Sequence, residues 1–122
     1  YGRDALPMPC PGLMDMVERG VVDGPEMDEY LAGVREKIGD ARVDAVVLGC
    51  THYVFLRTAV ERAFPGAQVI DGNGGTARQL KRLLEERGLA RGESGRVGSV
   101  ELITSGDPSE IELMRKLLDM RS

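Results

Sequence analysis

Apolar positions along the chain alternate between short runs and helically spaced stripes. Leu13, Met14, Met16 and Val17 predict a short apolar helix over 11–19, ended by Gly20. Pro25 opens a second helix, with Met27, Tyr30, Leu31, Val34 and Ile38 at helical spacing and Gly39-Asp40 as its stop. Val43-Asp44-Ala45-Val46-Val47-Leu48 then changes the pattern. This run is β-branched and almost wholly apolar, as in a parallel strand buried on both faces. A helix follows with Leu56, Ala59, Val60 and Ala63 on one side, and Pro65-Gly66 breaks it. Gln68-Val69-Ile70 reads as a second strand, and Asp71 to Gly75 as a turn-rich loop. A fourth helix is expected with Ala77, Leu80, Leu83 and Leu84 inward and Gly88 as its stop. Residues 91–96 read as an exposed loop, and Ser99 to Thr104 as a third strand. Asp107-Pro108-Ser109-Glu110 predicts the start of a last helix, with Asp107 as cap, Pro108 in the first turn and Glu110 completing a capping box. Its stripe is Ile111, Met114, Leu117 and Leu118.

Strands alternating with helices predict an α/β fold around a mainly parallel sheet. The third strand lies beyond two glycine-rich stretches. A boundary is therefore expected near residue 72, with 1–72 and 73–122 belonging to different parts of a larger protein. At 122 residues with 42% apolar side chains, there is material for one core. No run of about 20 apolar residues is present, so no membrane span is expected. Tyr1-Gly2-Arg3-Asp4 carries no secretory pattern, and the chain opens without Met, as a piece of a longer protein or a processed chain would. The two cysteines are then expected to be reduced thiols in a cytosol, with a single disulfide as the alternative.

A net charge of −4 argues against a nucleic-acid partner, which would need a concentrated basic face. Lys81, Arg82 and Arg87 instead mix with Glu85 and Glu86, as on a solvated helix.

In open α/β sheets, ligands bind beyond the carboxyl ends of the strands. The first strand ends there in Gly49-Cys50-Thr51-His52, bringing together a thiol, a hydroxyl and the chain's one imidazole. A helix starting near Thr51 would direct its N–H groups and positive dipole end at a thiolate or a carboxylate ligand. Two plainer readings stand beside this one. Cys50 could be a small core residue, and His52 could simply pack at the helix start. A metal site is a poorer fit. Cys50 and His52 supply two ligands where zinc takes at least three, and Asp71 and Glu18 join them only by assumption.

Leu48-Gly49-Cys50-Thr51-His52-Tyr53 closely resembles the second cysteine motif of glutamate racemases. Cys10-Pro11 followed by Val17-Glu18-Arg19-Gly20, then Val69-Ile70-Asp71, then Ile103-Thr104-Ser105-Gly106, resemble further segments of that family in order and spacing. Together they span nearly the whole chain. The resemblance implies the C-terminal half of such an enzyme, in an incomplete three-layer, flavodoxin-like parallel-sheet domain. It implies cofactor-independent interconversion of L- and D-glutamate in the bacterial cytoplasm, supplying D-glutamate for peptidoglycan and so for cell shape. Two cysteines act from opposite sides of the α-carbon, one removing the proton and the other returning one. By this resemblance Cys50 is the second of them. Thr51 and His52 contact the substrate, His52 assists Cys50, and Glu18 is the acidic residue near the histidine.

The sequence departs from the pattern at Val54, where the family usually has Pro, and at Gly12, where it tends to carry a larger apolar residue. The family's first catalytic cysteine and its Asp-Ser turn are absent, and Cys10 belongs to the Cys-Pro segment. The chain alone is therefore expected to be inactive. Without the N-terminal domain as partner, Leu80, Leu84, Met114 and Leu118 need another cover, for which self-association is one route. Three other readings are a racemase for aspartate or another amino acid, a non-catalytic α/β assembly module, and a cysteine hydrolase. The last wants a separate orienting group and an oxyanion hole.

Overall fold

The computed structural model describes residues 5–92 and 97–120. Five helices and two strands follow in the order α1 (Leu13–Glu18), α2 (Pro25–Ile38), β1 (Ala45–Leu48), a 3-10 turn (Tyr53–Leu56), α3 (Arg57–Ala63), β2 (Gln68–Asp71), α4 (Asn73–Glu86) and α5 (Glu110–Asp119). This is the expected α/β order, and β1 and β2 pair in parallel.

The helix boundaries follow from backbone chemistry. Pro25 sits in the first turn of α2, where its missing N–H costs nothing. Gly20 ends α1 at φ 79°, a left-handed conformation that favours glycine, and its N–H donates to the Val17 carbonyl at 2.8 Å. Leu113 of α5 packs there, 3.6 Å from where a Cβ on Gly20 would stand.

The register pairs Ala45 with Gln68, Val46 with Val69, Val47 with Ile70 and Leu48 with Asp71. Side chains alternate across a strand, so Val46, Leu48 and Val69 share the face that meets the core. There α3 packs on β2 and α2 packs on α3, while α1 packs on the 3-10 turn. Among the described residues, Met27, Leu56 and Val17 are the largest fully buried side chains, and every buried residue is apolar.

The opposite face of the sheet carries Val47, 70% exposed, and Ile70, 39% exposed. The expectation that β1 is buried on both faces is therefore corrected, and helices cover one side only. The third strand is corrected too. Val100 and Ile103 are more than two-thirds exposed, and residues 97–104 pair with no strand. A β-branched run becomes a strand only when a partner satisfies its backbone, and among the described residues none pairs with it. Likewise α4 has no buried residue, with Leu80 57% exposed, so its expected inward stripe faces solvent. The α5 stripe divides. Leu117 packs against the core, while Met114 and Leu118 stay exposed.

Two loop expectations also change. Asn73 to Gly75 lie in the first turn of α4 rather than in a loop, because the Asp71 carboxylate accepts the Asn73 N–H at 2.9 Å. Asp107 accepts from the Ser109 N–H at 2.8 Å and holds the turn that precedes α5. Pro108 falls before the helix, and the Glu110 carboxylate takes the Thr104 hydroxyl instead of closing a capping box. Of the loop expected over 91–96, residues 93–96 lie outside the described residues, as do Tyr1 to Asp4.

Candidate functional site

Buried Leu48 ends β1, and the chain leaves the sheet through Gly49 and Cys50. The Tyr53 N–H donates to the Cys50 carbonyl at 3.1 Å, folding residues 50–53 into a turn. Leu56 anchors the end of the 3-10 turn in the core with no exposed surface. Regular α-helix begins only at Arg57, seven residues after the thiol. The expectation that a helix dipole beginning near Thr51 reaches Cys50 is thereby corrected. The intervening turn is 3-10, and a macrodipole acts within about one turn of its own end.

The imidazole stands beside the thiol instead. Cys50 Sγ lies 3.7 Å from His52 Nδ1, and His52 Nε2 lies 3.3 Å from Glu18 Oε1. Cys50 and His52 are half-buried, Glu18 is exposed at the end of α1, and Thr51 is exposed beside them. The structure thus brings Cys50, His52 and Glu18 into one chain of contacts. In the tautomer with its proton on Nε2, the ring faces the Glu18 carboxylate with that nitrogen and turns the Nδ1 lone pair toward the thiol. Such an imidazole can take the Cys50 proton while the carboxylate balances the charge that forms. Both cysteines are free, so the disulfide alternative is not what the structure holds.

Three supporting residues surround this chain. The Tyr53 hydroxyl donates to the Cys10 carbonyl at 3.3 Å, and the Tyr30 hydroxyl to the Pro11 carbonyl at 2.9 Å. Burial, then the nearby Cys10 thiol, pushes the Tyr30 phenol up to about 12. The Tyr53 phenol is raised by burial first and then by the thiols of Cys10 and Cys50. Arg57 donates to the Val69 carbonyl at 2.9 Å and to Asp71 Oδ2 at 2.6 Å, tying α3 to the carboxyl end of β2. The side chain of Asp71 is only 13% exposed, and its partnership with Arg57 raises the guanidinium pKa further. Sequence reasoning missed these Tyr30 and Arg57 contacts, because each partner lies at least a dozen positions away and no local spacing marks it.

Among the described residues, no group of three or more His, Cys, Asp or Glu is arranged to hold a metal ion. Asp71 is engaged by Arg57 and by the start of α4, apart from the Glu18–His52 contact. A concavity of about 670 Å³ lies at the amino ends of the strands, lined by Arg35, Arg42, Arg62 and Phe64 among others. Cys50 does not line it. Among the described residues, no helix is long and apolar enough to cross a membrane.

No protein-family model matches the chain. Individual proteins do. A glutamate racemase of Clostridium botulinum (strain Okra / Type B1) is 39% identical over 121 residues, which are 98% of this chain and 47% of that protein. A glutamate racemase of Clostridium perfringens is 36% identical over 128 residues, covering 99% of this chain and 48% of that protein. The crystal structure of glutamate racemase from Thermus thermophilus in complex with beta-chloro-D-alanine superposes with a TM-score of 0.67 at 35% identity, covering 93% of this chain and 42% of that one. The chain is homologous to about half of a glutamate racemase. It spans about half the length of the curated relatives it matches. Its glutamate racemase relatives are isomerases, and the likeness in structure extends to the α/β fold with its parallel sheet.

Proposed function

We propose that this chain is the C-terminal half of a cofactor-independent glutamate racemase and supplies one of the two walls between which glutamate is racemised. Cys50 is the acid/base thiol of this wall. It removes the α-proton of one enantiomer while the opposing cysteine protonates the resulting carbanion on the other face, and in the reverse direction the two exchange roles. The observation that carries the reading is the contact chain from Cys50 Sγ through His52 to Glu18 at the carboxyl end of β1. His52 takes and returns the thiol proton, Glu18 steadies the imidazole, and exposed Thr51 contacts the substrate carboxylate. A carbon acid yields its proton slowly, so the thiol must be held against it in an oriented, water-poor site. Here Cys50 is half-buried, and the complementary half closes over it. That half also provides the opposing cysteine and covers the exposed stripes of α4 and α5, with residues 73–122 returning to it. In its absence a second copy of the chain is the available cover. The enzyme acts in the cytoplasm, supplying D-glutamate for peptidoglycan.

The test adds the complementary half and follows loss of the glutamate α-hydrogen in heavy water. Exchange is expected from the combined halves and not from the 122 residues alone. Cys50→Ala should slow it about a hundredfold or more, the usual contribution of a positioned acid/base group. Rapid exchange by the chain alone would contradict the two-walled site. Exchange indifferent to Cys50 would remove that residue from the chemistry.

A further inference from the structure

Helix α1 is six residues long, too short to hold itself, and Gly12 before it provides no side-chain cap. Its buried residues Leu13, Met16 and Val17 fix how deep it sits. Apolar packing is non-directional and says less about where the helix lies along its axis. Yet Glu18, at its far end, reaches His52 Nε2 at 3.3 Å. Hydrogen bonds hold the other end of the segment. The carbonyl of Cys10 accepts from the Tyr53 hydroxyl and from the Leu13 N–H. The next carbonyl, of Pro11, accepts from the Tyr30 hydroxyl. His52 and Tyr53 are neighbours on one turn. They therefore hold the two ends of the segment 10–18, one through Glu18 and the other through Cys10. Tyr30 fastens the same segment to α2.

We propose that Tyr30 and Tyr53 are positioning residues of this site, whose hydroxyls fix the Cys10-Pro11 backbone and thereby keep the Glu18 carboxylate on His52. The relevance to catalysis rests on the reading of Cys50 as the reacting thiol, whereas the positioning itself does not. The raised pKa of both phenols accords with hydroxyls drawn out of bulk solvent.

His52 is the chain's one histidine, so its ring nitrogens are assigned without ambiguity in the isotope-labelled 122-residue chain. Glu18→Gln is expected to move the Nε2 resonance by neutralising its partner. Tyr30→Phe should move it in the same direction, although Tyr30 lies on α2 and its hydroxyl bonds to the Pro11 carbonyl. Tyr53→Phe should act likewise, and the double variant more strongly, with the far-ultraviolet circular dichroism unchanged throughout. Should Tyr53→Phe fail to fold, Tyr30→Phe carries the same comparison. A His52 resonance that Glu18→Gln moves but Tyr30→Phe leaves in place, or moves the other way, overturns the proposal. So does a Glu18→Gln variant without effect, since there would be no contact to hold. The α-hydrogen exchange experiment tests the catalytic reading separately. A positive resonance result with Cys50-independent exchange would retain the clamp and discard the thiol.

Discussion

Leu56→Ala is the perturbation whose cost the structure fixes best. Leu56 ends the 3-10 turn that carries Tyr53, it is 0% exposed, and α1 packs on that turn. Truncation removes about three methylene-sized groups from the core at roughly 0.8 kcal/mol each. The cavity left behind raises the total to about 3–4 kcal/mol, within the measured range for buried leucines. A small domain holds only about 5–15 kcal/mol in all. With the outer face of the sheet and the stripe of α4 uncovered, this chain is expected near the lower end, so the variant would fold only marginally. Urea unfolding followed by far-ultraviolet circular dichroism measures the loss. At a slope of about 1.5 kcal/mol/M, the midpoint should fall by roughly 2 M. Leu80→Ala on α4 is the matched control. Leu80 is 57% exposed, and its truncation should change stability by less than about 0.5 kcal/mol. A Leu56 loss below about 1 kcal/mol would refute the anchoring role, because a filled core site cannot be emptied so cheaply. A Leu80 loss as large as that of Leu56 would show that α4 is covered in solution, by a second copy.

Other outcomes follow from the supporting contacts. Arg57→Ala should lower stability by about 1 kcal/mol, leaving the Asp71 carboxylate with less compensation while the half-exposed guanidinium limits the effect. In a double-mutant cycle with Asp71→Asn, the second change should cost less than it does alone, and strict additivity would show that the pair is not coupled. Followed by phenolate absorbance, Tyr30 should titrate near 12, and Tyr30→Phe should remove that step. Its folded pKa is raised, so the stability it contributes is complete below the ordinary phenol pKa of about 10 and is lost as pH rises from there. Denaturation midpoints measured across that interval should fall less steeply in Tyr30→Phe.

Local pattern alone marks much of this molecule. The helical spacing of Met27, Leu31 and Val34 with Pro25 and Gly39 at its ends gives α2, since those signals act within a few residues of chain. The thiol and imidazole of Cys50 and His52 were legible for the same reason, being two positions apart at the carboxyl end of a strand. Family resemblance alone marks Glu18, because its contact with His52 spans more than thirty positions and leaves no periodic trace. The expected third strand and inward stripe of α4 are absent among the described residues for the opposite cause. An apolar run records that a side wants burying, and only the assembled tertiary structure decides whether a partner is there to bury it. Val100, Ile103 and Leu80 found none among the described residues, so the sequence determined their preference while packing withheld its fulfilment.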